Sequence, residues 1–298
     1  MTERPLWSPS PARIKDTNVV HFMARVQSDW GAAIPDYAAL HRFSTTETEK
    51  FWLSFKDFAG IKAETWGETV LQNGDRMPGA TFFPDARLNY AENLLVRNDD
   101  SDAFVFWGEA EVRRRMSWRE LCREVSRVAA ALEGLGLQPG DRVAGYLPNM
   151  PEAIIAMLAA VSLGATWSSC SPDFGVQGVL DRFGQIAPVV LFAVDGYAYG
   201  GKVHDCTAKT AEIAARLPTL KKVVVVEYMG TGGGSMAAIP KAESWERFVQ
   251  PFPPGPVRFR PMPFNHPLYI LYSSGTTGAP KCIVHGAGGT LLKQAVEH

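Results

Sequence analysis

Tyr272-Ser273-Ser274-Gly275-Thr276-Thr277-Gly278-Ala279-Pro280-Lys281 is the stretch from which the rest of the chain can be read. An apolar run, Pro267-Leu268-Tyr269-Ile270-Leu271-Tyr272, leads into it and has the length and composition of a buried strand. A second short run, Cys282-Ile283-Val284-His285, follows it. A loop rich in glycine and hydroxyl groups is therefore suspended between two strands. Gly275 and Gly278 let the backbone take positive φ and approach a ligand closely, so that successive N–H groups converge on an anion. Ser273, Ser274, Thr276 and Thr277 add hydroxyl donors, and Lys281 adds a point charge suited to phosphate. The composition admits a plain turn; the order of the residues points to a polyphosphate cradle.

The spacing excludes a Walker A loop, which needs four residues between its glycines and a Lys-Ser/Thr ending. Here two residues separate Gly275 from Gly278, and Cys282 follows Lys281. The string SSGTTGAPK instead resembles the phosphate-loop signature of the adenylate-forming superfamily, which includes acyl-CoA synthetases, luciferases and peptide-synthetase adenylation domains. The hydroxyls, both glycines, the proline and the lysine fall at that family's spacing. The resemblance implies that Ser273, Ser274, Gly275, Thr276, Thr277, Gly278 and Lys281 bind the phosphates of ATP, and that Thr276 helps hold Mg²⁺.

Upstream, strands alternate with helices. Ser117 and Glu120 form a capping box before a helix whose stripe is Leu121, Val125, Val128 and Leu132. Strands are expected at Arg142–Tyr146, 165–168, 189–194 and 222–227, with helices at 151–163, 176–186 and 204–216 between them. This alternation predicts an α/β fold with a mostly parallel sheet flanked by helices on both faces. Three further segments, Gly140-Asp141-Arg142-Val143, Leu147-Pro148-Asn149-Met150-Pro151-Glu152-Ala153 and Gly164 to Gly175, are similar in order and spacing to the short-chain acyl-CoA synthetases. Within that family, Trp167-Ser168-Ser169-Cys170-Ser171-Pro172-Asp173-Phe174-Gly175 and Lys281-Cys282-Ile283-Val284-His285-Gly286 look like the form that activates acetoacetate. The implied fold is the amino-terminal part of the large adenylation domain, preceded by a helical, aromatic-rich cap.

Residues 1–100 are read as that cap, similar to the amino-terminal extension of acetyl-CoA synthetases. A helix is expected from Thr45-Thr46-Glu47 through Phe58, with Phe51, Phe55 and Phe58 on one face. Residues 101–298 are read as the first part of the AMP-binding domain, truncated after the phosphate loop. It opens with a hairpin over 103–107 and 112–116, in which Arg113-Arg114-Arg115 is expected to form a solvated face and the paired carboxylates Glu109 and Glu111 a solvated turn. Gly196-Tyr197-Ala198-Tyr199-Gly200-Gly201-Lys202 stands where the family carries a turn that holds the phosphates of CoA. The resemblance implies CoA binding by Gly201 and Lys202, and a plain surface turn is the other reading.

With 30 basic and 31 acidic residues, the formal charge of −1 excludes a general affinity for nucleic acid or anionic membranes. The four cysteines have neither disulfide-framework nor zinc spacing. The amino terminus lacks the apolar core of a signal peptide, and a cytoplasmic protein is expected. The resemblance implies an ATP-dependent acid–thiol ligase that forms acetoacetyl-CoA from acetoacetate, ATP and CoA through an acyl-adenylate, releasing pyrophosphate and AMP. The alternatives are a ligase for acetate, propionate or another short acid, and a non-catalytic nucleotide-binding module. No catalytic residue is assignable in this span. The family's adenine, ribose and acyl-pocket residues would follow His298, so the 298 residues alone are expected to be an inactive piece whose partner is the remaining carboxy-terminal part.

Overall fold

The computed structural model describes residues 6–109, 113–230, 236–273, 278 and 280–298. The chain divides into two compact units, Met1–Ala86 with Leu292–His298, and Arg87–Leu291.

Among the described residues up to Ala86, the first unit has four helices, α1 (Pro11–Lys15), α2 (Asn18–Trp30), α3 (Tyr37–Thr46) and α4 (Thr48–Phe58). The Asp36 carboxylate opens α3 by accepting the Ala39 N–H at 2.8 Å. As the spacing predicts, Phe51, Phe55 and Phe58 share a face, and they close around Phe22 with ring centroids 5.5, 5.5 and 5.1 Å away. Burial of one such ring contributes about 2–3 kcal/mol. The polar tie between the two helices is a chain. Trp30 Nε1 donates to Ser54 Oγ (2.8 Å), Ser54 Oγ donates to Asp29 (2.7 Å), and Arg25 Nε lies 2.7 and 2.8 Å from the two Asp29 oxygens.

The second unit begins with a buried polar anchor. Asn89 caps the short helix α5 (Tyr90–Leu94) through Oδ1, while Nδ2 lies 3.2, 3.0 and 2.8 Å from the carbonyls of Val161, Ser162 and Arg260. One side chain thus satisfies backbone groups on three separate segments. The expected hairpin is Asp102–Trp107 against Arg113–Ser117. Arg113 and Arg115 are exposed, as expected of a solvated face, and Arg114 is the exception. Arg113 lies over the Trp107 ring, Arg115 pairs with Asp102, and Arg114 forks onto both oxygens of Glu152 at 2.6 and 2.8 Å. Glu152 is only 9% exposed, and a carboxylate so buried requires a countercharge. Glu109 also has a partner, accepting the Gly200 N–H at 2.9 Å.

Seven strands form the main sheet: β1 (Arg142–Tyr146), β2 (Thr166–Cys170), β3 (Val190–Val194), β4 (Lys222–Val226), β5 (Ala242–Ser244), β6 (Pro267–Ser273) and β7 (Lys281–Gly286). Their order is β5-β4-β3-β1-β2-β6-β7, parallel throughout except for β7, which runs antiparallel to β6. The mostly parallel sheet predicted from the alternation is therefore observed. The capping box of Ser117 and Glu120 starts α6 (Trp118–Gly134), and all four stripe residues are buried. Helix α7 (Pro151–Ser162) connects β1 to β2, and α8 (Val176–Ile186) carries the chain back past β1 to β3.

On one face, alternate strand residues Ala144, Tyr146, Leu191, Val223 and Val225 pack with Val179 and Phe183 of α8 and Ile213 of α9 (Thr207–Ala215). On the other, Phe192 meets Trp167 of β2 and both Trp245 and Phe248 of α10 (Trp245–Val249). The helix expected from His204 starts at Thr207 instead. His204 is paired with Tyr197 in a hairpin, Gly196–Tyr199 against Lys202–Asp205, and stacks on its ring at 5.0 Å. The Asp205 carboxylate then accepts the Thr207 N–H. Among the described residues no helix is long and apolar enough to cross a membrane.

Candidate functional site

The carboxyl ends of β1, β2, β3, β4 and β6 lie along one edge of the sheet, because these strands are parallel. The chain leaves β1 toward β2 and then returns past β1 to reach β3, which makes this edge a topological switch point of the kind where open α/β sheets bind ligands. Two side chains hold the loops of this edge. The Tyr146 hydroxyl, at the end of β1, lies 2.9 and 2.8 Å from the carbonyls of Pro172 and Phe174. Asp195 Oδ1, just past β3, accepts N–H groups from Gly196, Tyr228 and Met229 at 2.8–3.0 Å.

The predicted phosphate loop leaves this edge from β6. Ser273 is its half-buried last strand residue, and Lys281, exposed, is the first residue of β7; the two are register partners. Ser274, Gly275, Thr276 and Thr277 lie outside the described residues, and so does Ala279. Gly278 is exposed with φ +88°, a conformation that favours glycine, so the positive φ expected of it is present.

The root of the loop is braced from the α8 face of the sheet. Ser168 Oγ on β2 hydrogen-bonds the Ile270 carbonyl (2.8 Å) and the Tyr272 hydroxyl (3.0 Å), and burial pushes the Tyr272 phenol well above its ordinary pKa. The Arg182 guanidinium of α8 lies 4.2 Å from the centre of the Phe174 ring and 5.8 Å from that of Tyr272. On the far side of the loop, Gln185 Nε2 donates to the Pro280 carbonyl at 2.8 Å. Sequence reading assigned no role to Ser168, Arg182 or Gln185. Ser168 stood inside a quoted motif, whereas Gln185 is 95 residues from Pro280 and gave no local signal.

Two clefts adjoin the same edge and differ in chemistry. One, of about 550 Å³, is walled by Leu147, Met157, Trp167, Tyr269 and Leu271, with Asn149 and Ser171 among its polar groups. The other, of about 320 Å³, holds Glu124, Glu152, Glu227 and Glu246 against Arg114 and Arg127. Four carboxylates and two guanidiniums give it a formal charge of −2, which repels a polyphosphate. Among the described residues that line them, neither cleft offers a cation free of carboxylates.

Gly201 and Lys202 lie at the tip of the Gly196–Asp205 hairpin. Gly200 and Gly201 both have positive φ, +59° and +72°, and both Gly201 and Lys202 are exposed. Such a two-residue turn requires φ > 0 at both positions, which accounts for the glycine pair without any ligand. At the base of the hairpin, Tyr197 hydrogen-bonds Asp173. The Ser171 and Tyr197 hydroxyls hold the Asp173 carboxyl below its ordinary pKa, and burial with that bond pushes the Tyr197 phenol up to about 12. The four cysteines are free, and the described residues contain no group of three His, Cys, Asp or Glu able to hold a metal ion.

Residues 92–298 match the family model described as AMP-binding enzyme, and residues 37–94 match that of the acetyl-coenzyme A synthetase N-terminus. The chain belongs to the AMP-binding enzyme family. Within the family it is similar to the acetoacetyl-coenzyme A synthetase of Rhizobium meliloti (strain 1021), with 47% identity over 99% of this chain and 45% of that protein. It is 41% identical to the acetoacetyl-CoA synthetase of Xenopus tropicalis, over 100% of this chain and 45% of the relative. The solved structure of the acetoacetyl-CoA synthetase from Streptomyces lividans superposes with a TM-score of 0.91 at 42% identity, covering 98% of this chain and 45% of that one. The chain thus spans a little under half the length of the AMP-binding enzymes it matches.

Proposed function

We propose that this chain is the phosphate-binding part of an ATP-dependent acid–thiol ligase that forms acetoacetyl-CoA from acetoacetate, ATP and CoA. The observation that carries the reading is the register pair of Ser273 and Lys281 at the carboxyl edge of the sheet, in a chain 47% identical to an acetoacetyl-coenzyme A synthetase. A carboxylate is a poor acyl donor because its oxygen leaves reluctantly. Attack of that oxygen on the α-phosphorus of ATP expels pyrophosphate and gives a mixed anhydride, from which a thiol displaces AMP.

Negative charge on the phosphoryl oxygens shifts during the first step, and Lys281 with the N–H and hydroxyl groups of Ser273, Ser274, Gly275, Thr276, Thr277 and Gly278 would stabilise it. Mg²⁺ suits the same place, entering with the phosphates rather than occupying a protein cage. Thr276 is the loop residue proposed to touch it. When bound, the ion would neutralise phosphate charge. CoA would present its phosphates to Lys202 and the backbone at Gly201. In domain terms, residues 1–100 form a helical cap and residues 101–298 the first part of the adenylation domain.

Acid-dependent exchange of labelled pyrophosphate into ATP by the full-length protein tests the reading, with acetoacetate, acetate and propionate supplied in turn. Exchange strongest with acetoacetate supports it, exchange strongest with another acid reassigns the substrate, and none with any acid rejects the ligase. The 298 residues by themselves are expected to form no AMP under the same conditions.

A further inference from the structure

We infer that Gln185 is a positioning residue for Lys281, a role that rests on the ligase reading above. Its carboxamide grips both chain neighbours of that lysine. Nε2 donates to the Pro280 carbonyl at 2.8 Å, and Oε1 accepts from Cys282 Sγ at 3.6 Å. The same Nε2 donates to the Asp181 carbonyl one turn back in α8, at 2.5 Å, which fixes the direction in which the side chain points.

The support beneath Gln185 is rigid. Val179, Phe183 and Ile186 bury the inner face of α8, and Arg142 of β1 closes its carboxyl end. The Arg142 guanidinium donates to the carbonyls of Ile186 (2.6 Å), Ala187 (3.0 Å) and Gly140 (3.0 Å), placing positive charge where the helix dipole is negative. Lys281, by contrast, is the first residue of an edge strand that, among the described residues, pairs with β6 alone, and its register partner Ser273 is the last residue of β6. Strand ends on sheet edges open more readily than central ones. The carboxamide therefore fastens the backbone segment from which the amine must reach a phosphate, and it does so from a helix whose inner face is buried against the sheet.

Electrostatic stabilisation depends on donors held in place before the reaction, and misplacement by an ångström costs about a hundred-fold in rate. Gln185 is exposed, so its removal leaves the core intact. The two properties separate positioning from folding.

The experiment is a double-mutant cycle on pyrophosphate exchange by the full-length protein, with melting temperature measured for every variant. Gln185→Ala is expected to lower kcat/KM for ATP about ten-fold, at an unchanged melting temperature. Gln185→Glu, which keeps the acceptor for Cys282 Sγ but loses the donor to Pro280, is expected to fall as far. In a Lys281→Ala background, Gln185→Ala is expected to cost nothing more, because no amine remains to be positioned. Full additivity of the two losses overturns the inference, as does unchanged activity of Gln185→Ala or a loss that tracks a fall in melting temperature. An inactive wild type overturns the ligase reading and this inference together, whereas an active wild type with additive variants overturns this inference alone.

Discussion

Ser273 and Lys281 stand opposite one another as the last register pair of β6 and β7, so the loop between them begins and ends at one place on the sheet. A hydroxyl and an ammonium are thereby brought together by strand pairing rather than by the loop's own conformation. Lys281→Ala is expected to slow acid-dependent pyrophosphate exchange by about 10²–10³-fold, the cost of removing one preorganised donor. The residue is exposed, so the denaturation midpoint should stay where it is. Unchanged exchange would remove Lys281 from the site.

The hairpin turn at Gly201 and Lys202 tests a different half of the reaction. If Lys202 meets the phosphates of CoA, Lys202→Ala raises KM for CoA about five-fold, corresponding to about 1 kcal/mol, while pyrophosphate exchange without CoA is unaffected. An unaltered KM for CoA would leave the glycine pair as an ordinary two-residue turn, which its dihedral angles already explain.

Asn89 is a buried polar anchor of the second unit, at 2% exposure with bonds to the 161–162 and 260 carbonyls. Asn89→Ala removes donors from buried carbonyls and a cap from α5, and is expected to destabilise by about 2–4 kcal/mol in urea unfolding. Asn89→Asp keeps the cap and loses the donors. It should recover only a small part of the loss.

Asp173 sets an acid limit. Its carboxyl is held below its ordinary pKa of 3.8 by the hydroxyls of Ser171 and Tyr197. A depressed folded-state pKa gives stability that is fully present above the unfolded value and is lost as pH falls through the folded one. The wild type should therefore lose stability below about pH 4 more steeply than Asp173→Asn, measured by melting temperature between pH 6 and pH 3. Parallel curves would show that the carboxylate contributes nothing.

The thiols should sort by burial. Cys170 is pushed up to about 12 and Cys206 to about 11, both chiefly by burial. At pH 8 fewer than about one in a thousand of either is thiolate, so a disulfide reagent should leave both untouched until denaturant is added. Cys282, partly exposed beside Lys281, should react first, and nucleotide should slow that reaction if the phosphates sit where proposed.

Much of this was legible in the residues themselves. The alternation of strand and helix, the capping box at Ser117 and the stripe of α6 are local patterns, governed by neighbours within a few positions, and they determined a mostly parallel α/β sheet. The string from Ser273 to Lys281 likewise carried the expectation of a phosphate loop, because its glycines, hydroxyls and lysine stand within one short stretch. Only tertiary structure decided what depends on distant segments. Arg114 looked like part of a solvated face until Glu152 was found buried beneath it, and a buried charge recruits a partner wherever the fold supplies one. His204 looked helical until Tyr197 was found paired with it. Gln185 carried no sign of its place beside Lys281, because a hydrogen bond across 95 residues is set by the crossing of α8 over the sheet, and no pattern along the chain encodes that crossing.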